Sequence, residues 1–156
     1  MTVTSELQDA LSLETLAVHP WPEVRRQVVQ LLRALNSVEA ARILVTFRTD
    51  DDEIVRASAF AALGCVAVDV DLELIQVGVR DCQERVRKAA LEALHQRDPE
   101  VAARVAVGLL RDESSHVVYR ALIILRDHGG AEALQSLAEL ENASGSTGVR
   151  AVATRQ

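Results

Sequence analysis

Four histidines, two cysteines and one run of three aspartates are the residues through which this 156-residue chain could do chemistry. Metal-assisted hydrolysis, redox turnover and nucleophilic attack all need such groups to converge at defined spacings. The histidines do not converge. His19, His95, His116 and His128 are followed by Pro, Gln, Val and Gly, and none has a carboxylate at metal-ligand spacing. Asp50-Asp51-Asp52 lacks the alternating oxygen ligands of a calcium loop and reads as a solvated helix start, where negative charge is favoured. Cys65 and Cys82 are predicted at opposite ends of one helix, roughly 18 Å apart for twelve residues, which no disulfide spans. There is no Gly-rich phosphate loop, nucleophile elbow or Cys-x-x-Cys. The residues therefore predict no catalytic centre, no metal and no cofactor.

What positions these residues is an internal repeat. Val24, Val55, Val86 and Val117 stand 31 apart, and Arg25, Arg56 and Arg87 follow three of them, with Val118 breaking the series. The same step links Leu32, Leu63, Leu94 and Leu125; Val28 with Ala59, Ala90 and Ala121; and Asp50 with Asp81 and Asp112. Each copy holds two helical patterns. In the first copy the leading helix carries Val24, Val28, Leu31, Leu32 and Leu35 as an amphipathic stripe, and the second carries Ala41, Ile43, Leu44 and Phe47. Asp52, Ser114 and Asp98-Pro99 suit helix starts; Trp21 and Gln83, at the equivalent column, do not. Asn36-Ser37, Gly64-Cys65 and Gly129-Gly130 supply turn chemistry between helices.

This divides the chain into an array over 1–142, with an orphan second helix at 5–17 and repeats at 19–49, 50–80, 81–111 and 112–142, about nine helices in all. Residues 143–156 are a Gly/Ser-rich linker and tail, in which Val149-Arg150-Ala151-Val152 resembles the start of another leading helix. Composition agrees with an all-α soluble fold: 49% apolar and 26% charged residues, with only three Pro and seven Gly to punctuate strands. A net charge of −6 counts against a general nucleic-acid binder. The N-terminal residues carry no secretory pattern, and no apolar run is long enough for a membrane span. Without export, the Asn142-Ala143-Ser144 sequon is a chance match. Two unbridged cysteines then point to a reducing cytoplasm.

The repeated Asp-x-x-x-x-Val-Arg-x-x-Ala-x-x-x-Leu core, seen best in residues 50–64 and 81–94, resembles the short HEAT-like repeat of the bilin-lyase-like class, over about residues 5–142. The resemblance implies a right-handed α-solenoid of stacked antiparallel helix pairs, with leading helices on the convex side and second helices on the concave side. It implies mainly binding scaffolds, with some enzymes among them. The repeated His-Glu pairs of the HEAT-like diiron hydroxylase are missing here. So are the basic, aromatic groove residues of the HEAT-like DNA glycosylases, and nothing identifies a bilin pocket.

Within that frame the Asp and Arg columns are expected to pair between adjacent repeats as a structural ladder, with Val118 leaving the last interface more apolar. Gly78, in the core column of Phe47, Leu109 and Leu140, is expected to pack closely on Phe60 or another bulky neighbour. The concave face gathers Arg42, Val45, Glu73, Gln76, Arg80, Arg104, Val107, Gly108 and Arg111 as candidate partner contacts, with an acidic protein segment as the expected ligand. Gly108 costs helix stability and leaves room for a ligand backbone. Glu73 stands where it could pair with Arg42 or Arg104. The convex alternative is Tyr119, Ile123 and Arg126, a face that the 149–152 tail could equally cover. The expected function is a non-catalytic protein-interaction scaffold, the alternative being an enzyme or accessory subunit of a lyase-like, cofactor-attaching system.

Overall fold

A computed structural model describes residues 15–128 together with Leu13, Gly130, Gln135 and Ala138. Seven α-helices lie among them: α1 (Pro22–Leu35), α2 (Val38–Thr46), α3 (Glu53–Cys65), α4 (Leu72–Gln76), α5 (Glu84–Arg97), α6 (Pro99–Leu109) and α7 (Ser115–His128). No strand occurs among the described residues. Residues 15–17, Gln135 and Ala138 are also helical. The orphan helix and the last second helix fall mostly outside the described residues, and the 143–156 tail entirely so.

The helices start where their caps dictate. Asp52 accepts from the Ile54 and Val55 amides, and Asp98 accepts from Glu100 and Val101 with Pro99 at the first helical position. Trp21 and Gln83 give no side-chain cap. The Ser114 hydroxyl is donated to the Glu84 carboxylate of the preceding repeat. Asn36 closes α1 in the left-handed conformation, a backbone state Asn tolerates.

α1, α3, α5 and α7 form one layer of an all-helical solenoid, and α2, α4 and α6 form the other. Between them runs one continuous core that includes Val28, Leu32, Leu44, Val55, Phe60, Leu63, Ile75, Val86, Leu94, Val117 and Leu125. Val55, Leu63, Val86 and Leu94 are themselves wholly buried. No single helix pair could bury these faces alone, so stacking is what stabilises each repeat.

Three details differ from the sequence-based expectation. Leu31 and Leu35 are 53% and 55% exposed, while Val29 and Arg25 take their places on the buried side of α1. Cys65 ends α3 and Cys82 precedes α5, so they flank α4 rather than cap one helix; both are free and exposed. The second helices of the first two repeats are shorter than their patterns, because each tightens into a 3₁₀ turn, at Phe47–Thr49 and Val77–Arg80. At three residues per turn instead of 3.6, side chains past the switch point in new directions.

Candidate functional site

The arginines divide into two sets, and the division defines the site. The first set is the ladder. Arg25 donates to both oxygens of Asp50 at 2.7 and 2.6 Å, Arg56 to both of Asp81 at 2.8 and 3.0 Å, and Arg87 to both of Asp112 at 2.7 Å each. Each guanidinium also donates to two carbonyls of the loop preceding its own helix: His19 and Pro20, Asp50 and Asp51, Asp81 and Cys82. Each aspartate accepts in turn from the amide two residues on, at Asp52, Gln83 and Ser114. Burial alone would raise the pKa of these carboxyls. The arginine hydrogen bonds, the backbone amides and the guanidinium charges outweigh it and hold all three below the usual carboxylate range. These charges are consumed in joining repeats. Asp50 therefore belongs to the seam rather than to a metal site, and Val118 stands half-buried where the fourth arginine would be.

The second set faces a groove of about 1060 Å³ across the second-helix layer. Its lining includes Arg48, Glu73, Gln76, Val77, Arg80, Cys82, Arg104 and Gly108, together with the already paired Arg56, Asp50 and Asp81. Arg48 donates to the carbonyls of Val45 and Leu74, while its charge meets no carboxylate among the described residues. Arg80 and Arg104 are exposed and make no ion pair or hydrogen bond among the described residues. Glu73 pairs with neither Arg42 nor Arg104, leaving those cations uncompensated. Val77 is in the groove lining and 62% exposed.

Two glycines shape this groove in opposite ways. A Cβ on Gly78 would sit 2.5 Å from Phe60 Cζ and 2.6 Å from Ala90 Cβ, so Gly78 lets the second helix press onto the core, as its column implies. A Cβ on Gly108 would meet nothing within 4 Å. That opening at the surface of α6 leaves backbone approachable from outside.

Of the predicted concave residues, the structure brings Glu73, Gln76, Arg80, Arg104 and Gly108 into the groove. Arg42, Val45, Val107 and Arg111 are not in its lining. Val45 and Val107 are half-buried against the core, and Arg42 and Arg111 are exposed beyond the groove. The four columns therefore do not form one outward stripe, because part of the expected outer face of the second helices packs on the core instead. Arg48 was missed by sequence reasoning, although a signal existed: it interrupts the apolar column of Val79 and Leu110. On the other layer Tyr119 is 62% exposed and Ile123 half-buried, but Arg126 forks onto the adjacent Asp127 at 2.7 and 3.1 Å and has its charge met there. Ala57, in the same column as Tyr119, is buried.

His95 and His128 are the one pair of histidines brought together among the described residues, with ring centroids 5.0 Å apart. Burial first, then the Arg120 charge and His128, push the His95 pKa down. Arg120 also lies 3.5 Å from Glu92, so the group reads as an inter-repeat contact between α5 and α7. Among the described residues no three His, Cys, Asp or Glu side chains are grouped to hold a metal ion. None of the described helices is long and apolar enough to cross a membrane.

A family model described as HEAT repeats matches residues 72–156. No curated protein matches the chain. Among solved structures, the complex of CpcE and CpcF of phycocyanin lyase from Nostoc sp. PCC7120 is similar over 94% of this chain and 96% of that one, at 19% identity and a TM-score of 0.65. An engineered protein is similar over 93% of this chain and 76% of its own, at 20% identity and a TM-score of 0.57. At these identities the likeness speaks for the fold alone.

Proposed function

The chain belongs to the HEAT repeat family, and from that premise we propose that it is a non-catalytic interaction scaffold that holds an acidic segment of a partner protein in the second-helix groove. The observation that carries this reading is the set of three arginines, Arg48, Arg80 and Arg104, without carboxylate partners around an exposed Val77 in a chain of net charge −6. A cationic strip on an anionic body attracts an acidic segment and repels most other surfaces, nucleic acid included. Val77 offers that segment an apolar seat, and Gly108 leaves room for its backbone. The two exposed free thiols fit a reducing cytoplasm.

The test is the double substitution Arg80→Glu with Arg104→Glu, assayed against a partner recovered by affinity capture and identified by mass spectrometry. Binding should weaken by at least about 2 kcal/mol, with circular dichroism unchanged because both side chains are exposed. Normal binding by this variant, together with loss in Tyr119→Ala with Ile123→Ala, would move the functional face to the other layer.

The near-complete overlap with the phycocyanin lyase complex supports a second reading, an accessory subunit of a lyase-type assembly. That reading requires a chromophore in the visible spectrum of the native protein, or turnover with one. The scaffold reading requires neither.

A further inference from the structure

We infer that Arg48 sets specificity in the groove: its guanidinium, fixed before any ligand arrives, takes a glutamate or aspartate side chain of the bound segment on Nη2, whereas Arg80 and Arg104 only draw that segment in. This division of roles holds only if the groove is the binding site of the scaffold proposed above. Arg48 Nε donates to the Val45 carbonyl at 2.9 Å and Nη1 to the Leu74 carbonyl at 3.1 Å. The first acceptor lies in α2 and the second in α4, so the half-buried side chain is clipped across the junction of two repeats. Two of its five N–H groups are used in this way; both on Nη2 and one on Nη1 meet no partner among the described residues.

The ladder shows what a guanidinium of this chain does with a free edge. Arg25, Arg56 and Arg87 give Nη1 to carbonyls, as Arg48 does, but give Nε and Nη2 to the two oxygens of an aspartate. At Arg48 the carbonyls hold Nε and Nη1, and no anion stands on Nη2. Neutral acceptors do not cancel a full charge taken partly out of water, so a carboxylate there completes the shell with a charge-assisted hydrogen bond. The fold has no need of an arginine at this position, since its described equivalents, Val79 and Leu110, are buried apolar residues. Arg80 and Arg104 differ from it in kind. Both are exposed and unbonded among the described residues, so each must give up rotamer freedom to hold a ligand. Charges of that sort act on the rate of encounter, while a partly buried, hydrogen-bonded one acts on the lifetime of the complex. Glu73 is the one carboxylate of the lining without an arginine, because Asp50 and Asp81 are taken by the ladder, and three cations outnumber it. The lining is drawn chiefly from the second-helix segments of three consecutive repeats, all of them described. Residues 143–156 carry two arginines and no acid, the wrong charge to occupy it.

The probe is a fluorescently labelled, amidated heptapeptide of six glutamates around a central leucine, which seats on Val77 and fixes the register. Saturable binding to the full chain is expected at low salt. When each glutamate in turn is replaced by glutamine, one position should cost at least tenfold in affinity for the parent chain and less than threefold for Arg48→Met. Both peptides meet the same protein in each comparison, so any loss of stability cancels, and a merely structural Arg48 would leave the cost unchanged. Arg48→Lys, which keeps the charge and loses the clipped fork, should release the parent peptide at least tenfold faster with the same salt dependence. Arg80→Gln with Arg104→Gln should instead slow association and flatten the salt dependence. If the glutamate scan is equally uneven in the parent and in Arg48→Met, or Arg48→Lys releases the peptide at the parent's rate, the role given to Arg48 is wrong and the groove still stands. No saturable binding by the parent, or binding indifferent to Arg80→Glu with Arg104→Glu, overturns the groove as well.

Discussion

Arg87 and Arg104 lie on successive helices of one repeat and share a side chain, yet their circumstances are opposite. Arg87 is 6% exposed and fixed by Asp112, by Glu113 at 3.3 Å and by two carbonyls; Arg104 projects into a groove with no partner among the described residues. The first recurs at a strict 31-residue step, as Arg25, Arg56 and Arg87. The second shares its column with Arg42, Glu73 and Gln135, one cationic, one anionic and one neutral. Charge that repeats is required by every interface in turn, and so belongs to the architecture. Charge that varies within a column is free to serve a surface.

Acid separates the two regions most strongly, because it acts on all three rungs at once. The folded pKa values of Asp50, Asp81 and Asp112 lie below their unfolded values, so the stability they confer is complete above about pH 4. It is lost as pH falls through the folded values. Urea unfolding midpoints should hold from neutrality to about that pH and then drop. Asp50→Asn with Asp81→Asn and Asp112→Asn should start lower and show a much flatter acid limb. An unchanged limb in the triple variant would mean that the seam does not govern acid stability.

Breaking one rung comes next. Arg87→Met leaves Asp112 buried without its counter-charge and should cost about 3–5 kcal/mol in denaturant unfolding, against about 0.5 kcal/mol or less for Arg104→Met. Adding Asp112→Leu to Arg87→Met removes the stranded charge and should recover most of the loss, since an apolar pair can replace a buried ion pair. Equal costs for the two single substitutions would erase the distinction between the sets.

Much of this architecture was legible in the sequence because repetition turns weak signals into columns. The Arg–Asp pairing between repeats could be read from two columns in fixed offset, and the Gly78–Phe60 packing from a glycine in a column of bulky core residues. What repetition could not give was any feature that breaks it. Leu31 and Leu35 look like core in a helical stripe, yet both are exposed, with no helix among the described residues covering them. The switch to a 3₁₀ turn at Val77–Arg80, the stretch that carries Arg80 into the groove, has no strong residue signature. Arg48 was overlooked because a search for exposed columns passes over one whose described members Val79 and Leu110 are buried core residues.

Gly78 tests the floor of the groove, where the seam and the binding surface meet. Alanine there would put a methyl inside the contact distance of Phe60 and Ala90, both of them buried core residues. Gly78→Ala should cost about 1–3 kcal/mol, the range for overpacking a tight core, despite removing a glycine. Pairing it with Phe60→Leu should recover part of that loss, as read by thermal unfolding. A neutral single variant would show that the 3₁₀ turn at Val77–Arg80 is not pressed onto Phe60 and Ala90 as described.

The smallest effect belongs to Gly108, and its sign is what matters. Here an added methyl has no neighbour within 4 Å, and the residue lies inside α6, where glycine is a poor helix former. Gly108→Ala should therefore stabilise the fold, by about 1 kcal/mol, the reverse of the same substitution at Gly78. If the groove holds a partner's backbone against α6, the same methyl should weaken that binding, so stability and affinity would move in opposite directions in one variant. Thermal unfolding reads the first and titration with the captured partner reads the second. A stabilised variant with undiminished affinity would show that the opening at Gly108 is not used, and would confine the binding surface to Arg80, Arg104 and Val77.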